Sequence, residues 1–113
     1  TSMPADLSPV VVELVLMHNR IEVIERLEQL TALRKLCLRA NRVRRISGLS
    51  QCTALQELEL YENQLHQLEG LDSLRQLRVL DVSFNQISSI EGLDELAELR
   101  ELYLASNQIK QID

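Results

Sequence analysis

The chain has 113 residues, of which 45% are hydrophobic, 26% charged and only 3% aromatic, and its formal net charge is −5. This length suits one domain, and the acidic balance argues against nucleic acid as a partner held by bulk electrostatics. No apolar run reaches the roughly 20 residues of a membrane-spanning helix, so we expect no membrane partner.

One pattern returns every 22 residues and divides the chain. In one copy it reads Leu58-x-Leu60-x-x-Asn63-x-Leu65. The asparagines of the five copies are Asn19, Asn41, Asn63, Asn85 and Asn107. In chain order the predicted segments are a lead-in cap (1–10), four full units (11–32, 33–54, 55–76 and 77–98) and a partial fifth unit (99–113). This spacing is typical of a leucine-rich repeat and predicts a single domain over residues 1–113.

Each unit divides into a strand half and a turn half. The first half alternates, as in Leu58-Glu59-Leu60, which predicts a short strand with one face on the core. The second half spaces apolar residues by three, as in Ile90-x-x-Leu93-x-x-Leu96, which suits a short helical or 3₁₀ turn. The predicted fold class is therefore α/β: a right-handed solenoid with a parallel concave β-sheet and short helical or 3₁₀ turns on the convex side.

The repeated asparagine stands where each strand ends. Its amide group carries two donors and an acceptor, which can satisfy backbone groups of the turn. We therefore expect Asn63 and Asn85 to be buried, with their amides bonded to the backbone of the turns.

Side chains between the core leucines project onto the predicted concave face in columns of one residue per repeat. The second repeat is basic there, whereas the third to fifth repeats are acidic and carry both tyrosines of the chain. Acids beside aromatic rings suit a basic, partly apolar protein surface, while a solvated face with scattered charge is the alternative. The predicted partner-binding residues are Glu57, Glu59, Tyr61, Asp81, Glu101 and Tyr103.

No arrangement of residues predicts catalysis, a metal site or a cofactor. His18 and His66 fall at different places in their repeats and are read as solvated. Cys52 takes a core column, and Cys37 projects into the concave grid, where it is either reactive or structurally neutral. The two cysteines stand at different places in their repeats, so we expect no disulfide between them. The expected absence of a disulfide favours a reducing compartment. A basic run is read as a solvated, divided cluster rather than a nucleic-acid site: Arg34, Lys35, Arg39, Arg42, Arg44 and Arg45.

Four ordered sequence words carry a resemblance to a known family. They are Leu36-Cys37-Leu38-Arg39-x-Asn41, Leu60-Tyr61-Glu62-Asn63-Gln64, Leu80-Asp81-Val82-Ser83-Phe84-Asn85 and Ile90-Glu91-Gly92-Leu93-Asp94. In order and spacing, residues 11–113 resemble the first repeats of the regulatory subunit 7 family of type-1 Ser/Thr protein phosphatase.

The resemblance implies a non-catalytic protein that regulates the phosphatase catalytic subunit, in the nucleus and cytoplasm. It implies contacts through the middle concave column. There Asp81 and Glu59 match acids of the family, and Tyr103 occupies a position where the family has phenylalanine. The family has about twice as many repeats and its own C-terminal cap, so we expect this chain to be an N-terminal fragment or a short relative.

Three alternatives remain open. The first is an interaction module of another intracellular complex, such as an axonemal, tubulin-linked or spliceosomal one. The second is a structural or designed repeat array without a natural ligand. An enzyme is the weakest reading. At the C-terminal end, Ile109 and Ile112 lack a following coil, so we expect fraying near Asp113 or a contact between chains there.

Overall fold

The computed structural model of the chain describes residues 2–4 and 7–112 and contains seven short strands. In chain order they are β1 (Glu13–Val15), β2 (Lys35–Cys37), β3 (Glu57–Glu59), β4 (Val79–Asp81), β5 (Ser89–Ile90), β6 (Glu101–Tyr103) and β7 (Gln111–Ile112). Strands β1, β2, β3, β4 and β6 form one parallel sheet in that order, and β5 pairs with β7 in a second one.

The 22-residue period sets the register of the main sheet. Leu36 lies opposite Leu58, and Leu58 lies opposite Leu80, so equivalent residues of successive repeats are neighbours. Parallel strands in this register place each coil against the next, at the strand spacing of about 4.8 Å. The predicted solenoid with a parallel sheet is confirmed.

A continuous aliphatic core runs between the sheet and the turns. The central strand residues Leu36, Leu58 and Leu80 are fully buried, as are the turn leucines Leu27 and Leu71. Each coil therefore contributes a thin layer of leucines that packs against the layers above and below it. Dispersion and burial of these layers stabilise the stack, and among the described residues no aromatic side chain belongs to the core.

The lead-in contributes to the same core at its first end. Met3 is buried and belongs to the core cluster, and Leu7 packs against that cluster while staying partly exposed. The Arg26 guanidinium donates a hydrogen bond from Nη1 to the Met3 carbonyl at 3.0 Å. The first coil is thus covered by a short irregular segment instead of a full repeat.

Of the short helical or 3₁₀ turns expected on the convex side, the helices are absent in the part of the chain that the structure describes, and single turns of the 3₁₀ type are present. That side is built from isolated turns, in which Leu30 N–H donates to the Leu27 carbonyl and Leu33 N–H to the Leu30 carbonyl. A 3₁₀ helix needs such bonds at consecutive residues, whereas here they recur every third residue. The apolar spacing of three therefore reflects one core leucine per turn.

Asparagine side chains tie each coil to the one before it. Asn85 accepts a hydrogen bond from Leu65 N–H at 2.9 Å and donates from Nδ2 to the Leu60 and Val82 carbonyls, both at 2.9 Å. Asn63 repeats this pattern one coil earlier, with Val43 N–H as its donor. Both side chains are buried, so the predicted asparagine ladder is confirmed.

The second sheet joins the last two coils. Ser89 and Ile90 of β5 lie in register with Gln111 and Ile112 of β7. The sequence did not predict this pair, whose strands begin four residues after Asn85 and Asn107. The fraying expected at Asp113 lies outside the described residues.

Candidate functional site

Three columns of side chains line the outer surface of the main sheet, which we call the concave face. The first column is Glu13, Lys35, Glu57, Val79 and Glu101. The middle column is Val15, Cys37, Glu59, Asp81 and Tyr103. The third column lies two residues after the middle column along the chain and consists of Met17, Arg39, Tyr61, Ser83 and Ala105. The structure therefore places all six predicted binding residues on one surface.

Lys35 partly neutralises the acids of the third coil. Its Nζ lies 3.9 Å from Glu57 Oε2 and 3.7 Å from Glu59 Oε2. Such half-exposed ion pairs contribute only about 0–1 kcal/mol, because solvent screens them. A basic partner would nevertheless compete with Lys35 for these two carboxylates.

Tyr61 stands in a stack of side chains from three successive coils. The Arg39 guanidinium carbon lies 4.6 Å from the Tyr61 ring centroid, a cation–π geometry. On the next coil the Phe84 ring lies 5.0 Å from the Tyr61 ring, centroid to centroid, at 46°. We call Arg39, Tyr61 and Phe84 the aromatic ladder.

Asp81, Glu101 and Tyr103 lie together on the concave face, at the fourth and fifth coils. Asp81 lies opposite Tyr103 in the strand register, and Tyr103 donates its hydroxyl to Glu101 Oε1. This hydrogen bond and the carboxylate's charge raise the pKa of the Tyr103 hydroxyl, so the phenol stays protonated at neutral pH. Asp81 Oδ1 accepts a bond from Ser83 N–H at 3.0 Å. Within the described residues, none of the ion pairs involves Asp81 or Glu101.

Sequence reasoning missed Phe84 as a surface residue. It is the only phenylalanine of the chain, and its side chain is 47% exposed. The signal was available in its column, because the equivalent positions of other repeats hold Ala40, Glu62 and Ser106. A fold that accepts those residues does not require a large ring there.

The other candidate residues of the sequence lie apart from the acids and rings of the concave face. His18 and His66 are exposed, and no group of potential ligands within residues 2–4 and 7–112 is arranged to hold a metal ion. The basic run is split by its contacts, since Lys35 faces Glu57 whereas Arg45 pairs with Glu69 at 3.3 Å on another side of the coil. In the same part of the chain, no helix has the length and apolarity needed to cross a bilayer.

Both thiols are predicted to be inert in the folded protein. Cys37 is 3% exposed although it points toward the concave face, and Cys52 is fully buried. Burial raises the pKa of both thiols, which disfavours the reactive thiolate. We expect no reaction with Ellman's reagent at mildly alkaline pH in the native state, and two thiols per chain after denaturation in guanidinium chloride. Rapid labelling of Cys37 before denaturation would contradict its burial.

Comparisons with known proteins agree on the repeat class. A family model described as "Leucine Rich repeats (2 copies)" matches residues 31–73 and 75–113. An internalin (inlF) of Listeria monocytogenes is similar in structure, with a TM-score of 0.81 and 34% sequence identity over 88% of this chain. An internalin C2 (inlC2) of the same organism gives a TM-score of 0.82 and 29% identity over 88% of this chain.

The chain spans 29% of the first internalin and 44% of the second. No curated protein matches it. These findings support a repeat protein, and the resemblance to the phosphatase regulatory subunits stays a prediction. The chain belongs to the leucine-rich-repeat family, whose solenoids are typically non-catalytic protein-interaction scaffolds.

Proposed function

We propose that the chain is a non-catalytic scaffold that binds the catalytic subunit of type-1 Ser/Thr protein phosphatase through its concave face and regulates it in the nucleus and cytoplasm. The sequence words shared with the regulatory subunit family support the choice of partner. The surface chemistry supports the mode of binding, because acids and aromatic rings lie together on one exposed sheet.

The observation that carries the proposal is the group of Asp81, Glu101 and Tyr103. Tyr103 is 46% exposed, so its ring is accessible to a partner. Its hydroxyl is held by Glu101, which fixes the ring beside Asp81 at small entropic cost. Tyrosine is one of the residue types enriched in binding hot spots, and here its ring lies next to a carboxylate that can attract a basic group.

In the proposed complex, Asp81 receives an arginine or lysine of the phosphatase and Tyr103 packs on the apolar rim of that contact. Glu57 and Glu59 join only by exchanging Lys35 for a cation of the partner, so we place the centre of the contact at the fourth and fifth coils. Acids spread over the face steer a basic surface toward it, and the association rate falls as salt screens them.

The double replacement Asp81→Lys with Tyr103→Ala tests this site. Charge reversal introduces repulsion and loss of the ring removes an anchor, so we expect at least about tenfold weaker binding, or about 1.4 kcal/mol. Isothermal titration calorimetry against the purified phosphatase catalytic subunit measures the affinity, and circular dichroism checks that the variant is folded.

A control makes comparable changes away from the concave face. Asp72→Lys with Val23→Ala reverses an exposed carboxylate and removes an exposed apolar side chain, both outside the three columns. The control should bind like the parent chain. Equal affinity of the parent and the folded double variant would place the phosphatase contact elsewhere, and absence of binding by the parent would reject this partner.

A further inference from the structure

The turn that follows each strand has a backbone shape that the fold imposes on any residue. The residue before each ladder asparagine has a positive φ in all five coils, between 54° and 60°. These residues are His18, Ala40, Glu62, Phe84 and Ser106. Left-handed backbone is uncommon outside glycine and is least suited to bulky side chains. The other four coils fill the position without a large apolar group, so the ring of Phe84 serves no structural need of the repeat.

Phe84 extends a stack that already contains one cation. Arg39 lies over the Tyr61 ring, and Tyr61 lies beside the Phe84 ring, so the aromatic ladder runs from cation to ring to ring. The Phe84 side chain remains 47% exposed at the end of this series. The Arg39–Tyr61 contact is a precedent within the chain for a guanidinium packed on a ring of this series.

We propose that the exposed ring of Phe84 binds the guanidinium of an arginine carried by an extended basic segment of the partner. Its location beside the concave face assigns it to the same partner protein, and to that extent the inference rests on the proposed function. Charge complementarity supports a cation: Glu62 occupies the equivalent position one coil earlier, and Asp81 precedes Phe84 on the same coil.

Arginine fits this place better than the other candidates. Its planar guanidinium stacks on an aromatic face while its edge donates to carboxylates, whereas the lysine ammonium is compact and more strongly hydrated. A neutral planar side chain such as citrulline keeps the shape and loses the charge. An aliphatic side chain keeps the apolar contact alone. These differences provide four distinguishable probes.

The unique phenylalanine makes the site directly observable. Ring-13C-phenylalanine labels Phe84 alone, because the chain has no second one. Capped pentapeptides Gly-Ser-Xaa-Ser-Gly, with arginine, lysine, citrulline or leucine at Xaa, are titrated against the labelled chain. We expect the arginine peptide to shift the Phe84 ring signals in a saturable manner, at least about threefold more tightly than the lysine peptide. Equal or tighter binding of the citrulline or leucine peptide would overturn the choice of a cation.

A variant locates the contact independently of the label. Phe84→Ser places at this position the residue that Ser106 already supplies one coil later, so the turn should fold as before. Amide shifts in 15N-labelled protein should show the arginine peptide bound at least about threefold more weakly to this variant. The control Val23→Ser, which removes another exposed apolar side chain, should leave the affinity unchanged. Unchanged binding to the Phe84→Ser variant would refute the site.

Failure of this inference is separable from failure of the proposed function. The same Phe84→Ser variant is titrated with the phosphatase catalytic subunit. If the phosphatase binds parent and variant equally, the arginine site is wrong and the partner stands. If the arginine peptide shifts the Phe84 ring signals while the phosphatase binds neither the parent nor the variant, the arginine site is retained and the proposed partner is wrong.

Discussion

Replacing Asn85 by leucine is expected to lower the free energy of unfolding by about 2–4 kcal/mol, because a buried donor loses its partner. Leu65 N–H donates to Asn85 Oδ1 at 2.9 Å and has no second acceptor among the contacts of the described residues. The carbonyls that accept hydrogen bonds from Asn85 would each keep another donor. The Leu60 carbonyl also accepts from Asn63, and the Val82 carbonyl from Asn107. The loss is therefore concentrated on the Leu65 amide.

Asn19→Leu is the matched control. Asn19 is the asparagine of the first coil and is exposed. Among the described residues, its side chain donates only to the Met17 carbonyl, at 2.9 Å. We expect a loss below about 1 kcal/mol for this variant, the usual range of an exposed hydrogen bond. Urea denaturation compares the two variants, and hydrogen exchange of the Leu65 amide reports the broken bond locally. Equal midpoints for Asn85→Leu and the parent chain would refute the asparagine ladder as a source of stability.

Periodicity explains why so much of the fold was predictable. A strict period of 22 residues leaves one register in which each core side chain of one coil faces a core side chain of the next, as Leu36 faces Leu58 and Leu58 faces Leu80. A shift of the strand register by one residue would place charged residues such as Glu57 in the core. Burial of an unpaired charge costs too much free energy for that register to form. The sheet, its columns and the burial of Asn63 and Asn85 follow from this constraint.

The convex turns and the contacts of the concave face did not follow from the period. Leucines spaced by three fit both a 3₁₀ helix and a series of isolated turns, and only the hydrogen bonds distinguish them. Likewise, the columns place Lys35 beside Glu57 and Glu59, but the rotamers of long side chains decide which ion pairs form. The stack of Tyr61 on Phe84 was missed because Phe84 lies in the turn, outside the three columns.

The first coil shows a second limit of reasoning from a repeat. Sequence treats Asn19 as equivalent to Asn41, yet Asn19 is exposed and Asn41 is buried. Each ladder asparagine bonds to the coil before it, as Asn41 does with the backbone amides of Asn19 and Ile21. Asn19 is preceded by the lead-in, which offers no equivalent turn among its described residues. Identical residues in a solenoid therefore differ in energy according to their position along the stack.

Gly70→Ala is expected to cost about 3–5 kcal/mol, because backbone conformation and packing between coils both oppose a side chain there. Gly70 has a φ of +68°, where an alanine is strained by about 1–2 kcal/mol. A Cβ at Gly70 would also lie 2.2 Å from the Ile46 carbonyl oxygen of the preceding coil. Backbone cannot rotate away as a flexible side chain does, so the coils would have to separate and lose part of their leucine packing.

The first coil again supplies the control, because Arg26 occupies the equivalent position with a φ of +65°. A residue with a Cβ is thus accepted where the lead-in, rather than a full coil, lies before it. Arg26→Ala removes the hydrogen bond to the Met3 carbonyl without a change in backbone strain, so it should cost only about 1 kcal/mol. Gly92→Ala should rank between the two, since its Cβ would lie 2.6 Å from the Leu68 carbonyl oxygen. Urea denaturation of the three variants gives the order. If Gly70→Ala were no more destabilising than Arg26→Ala, the close approach of successive coils would not be what requires glycine in this column.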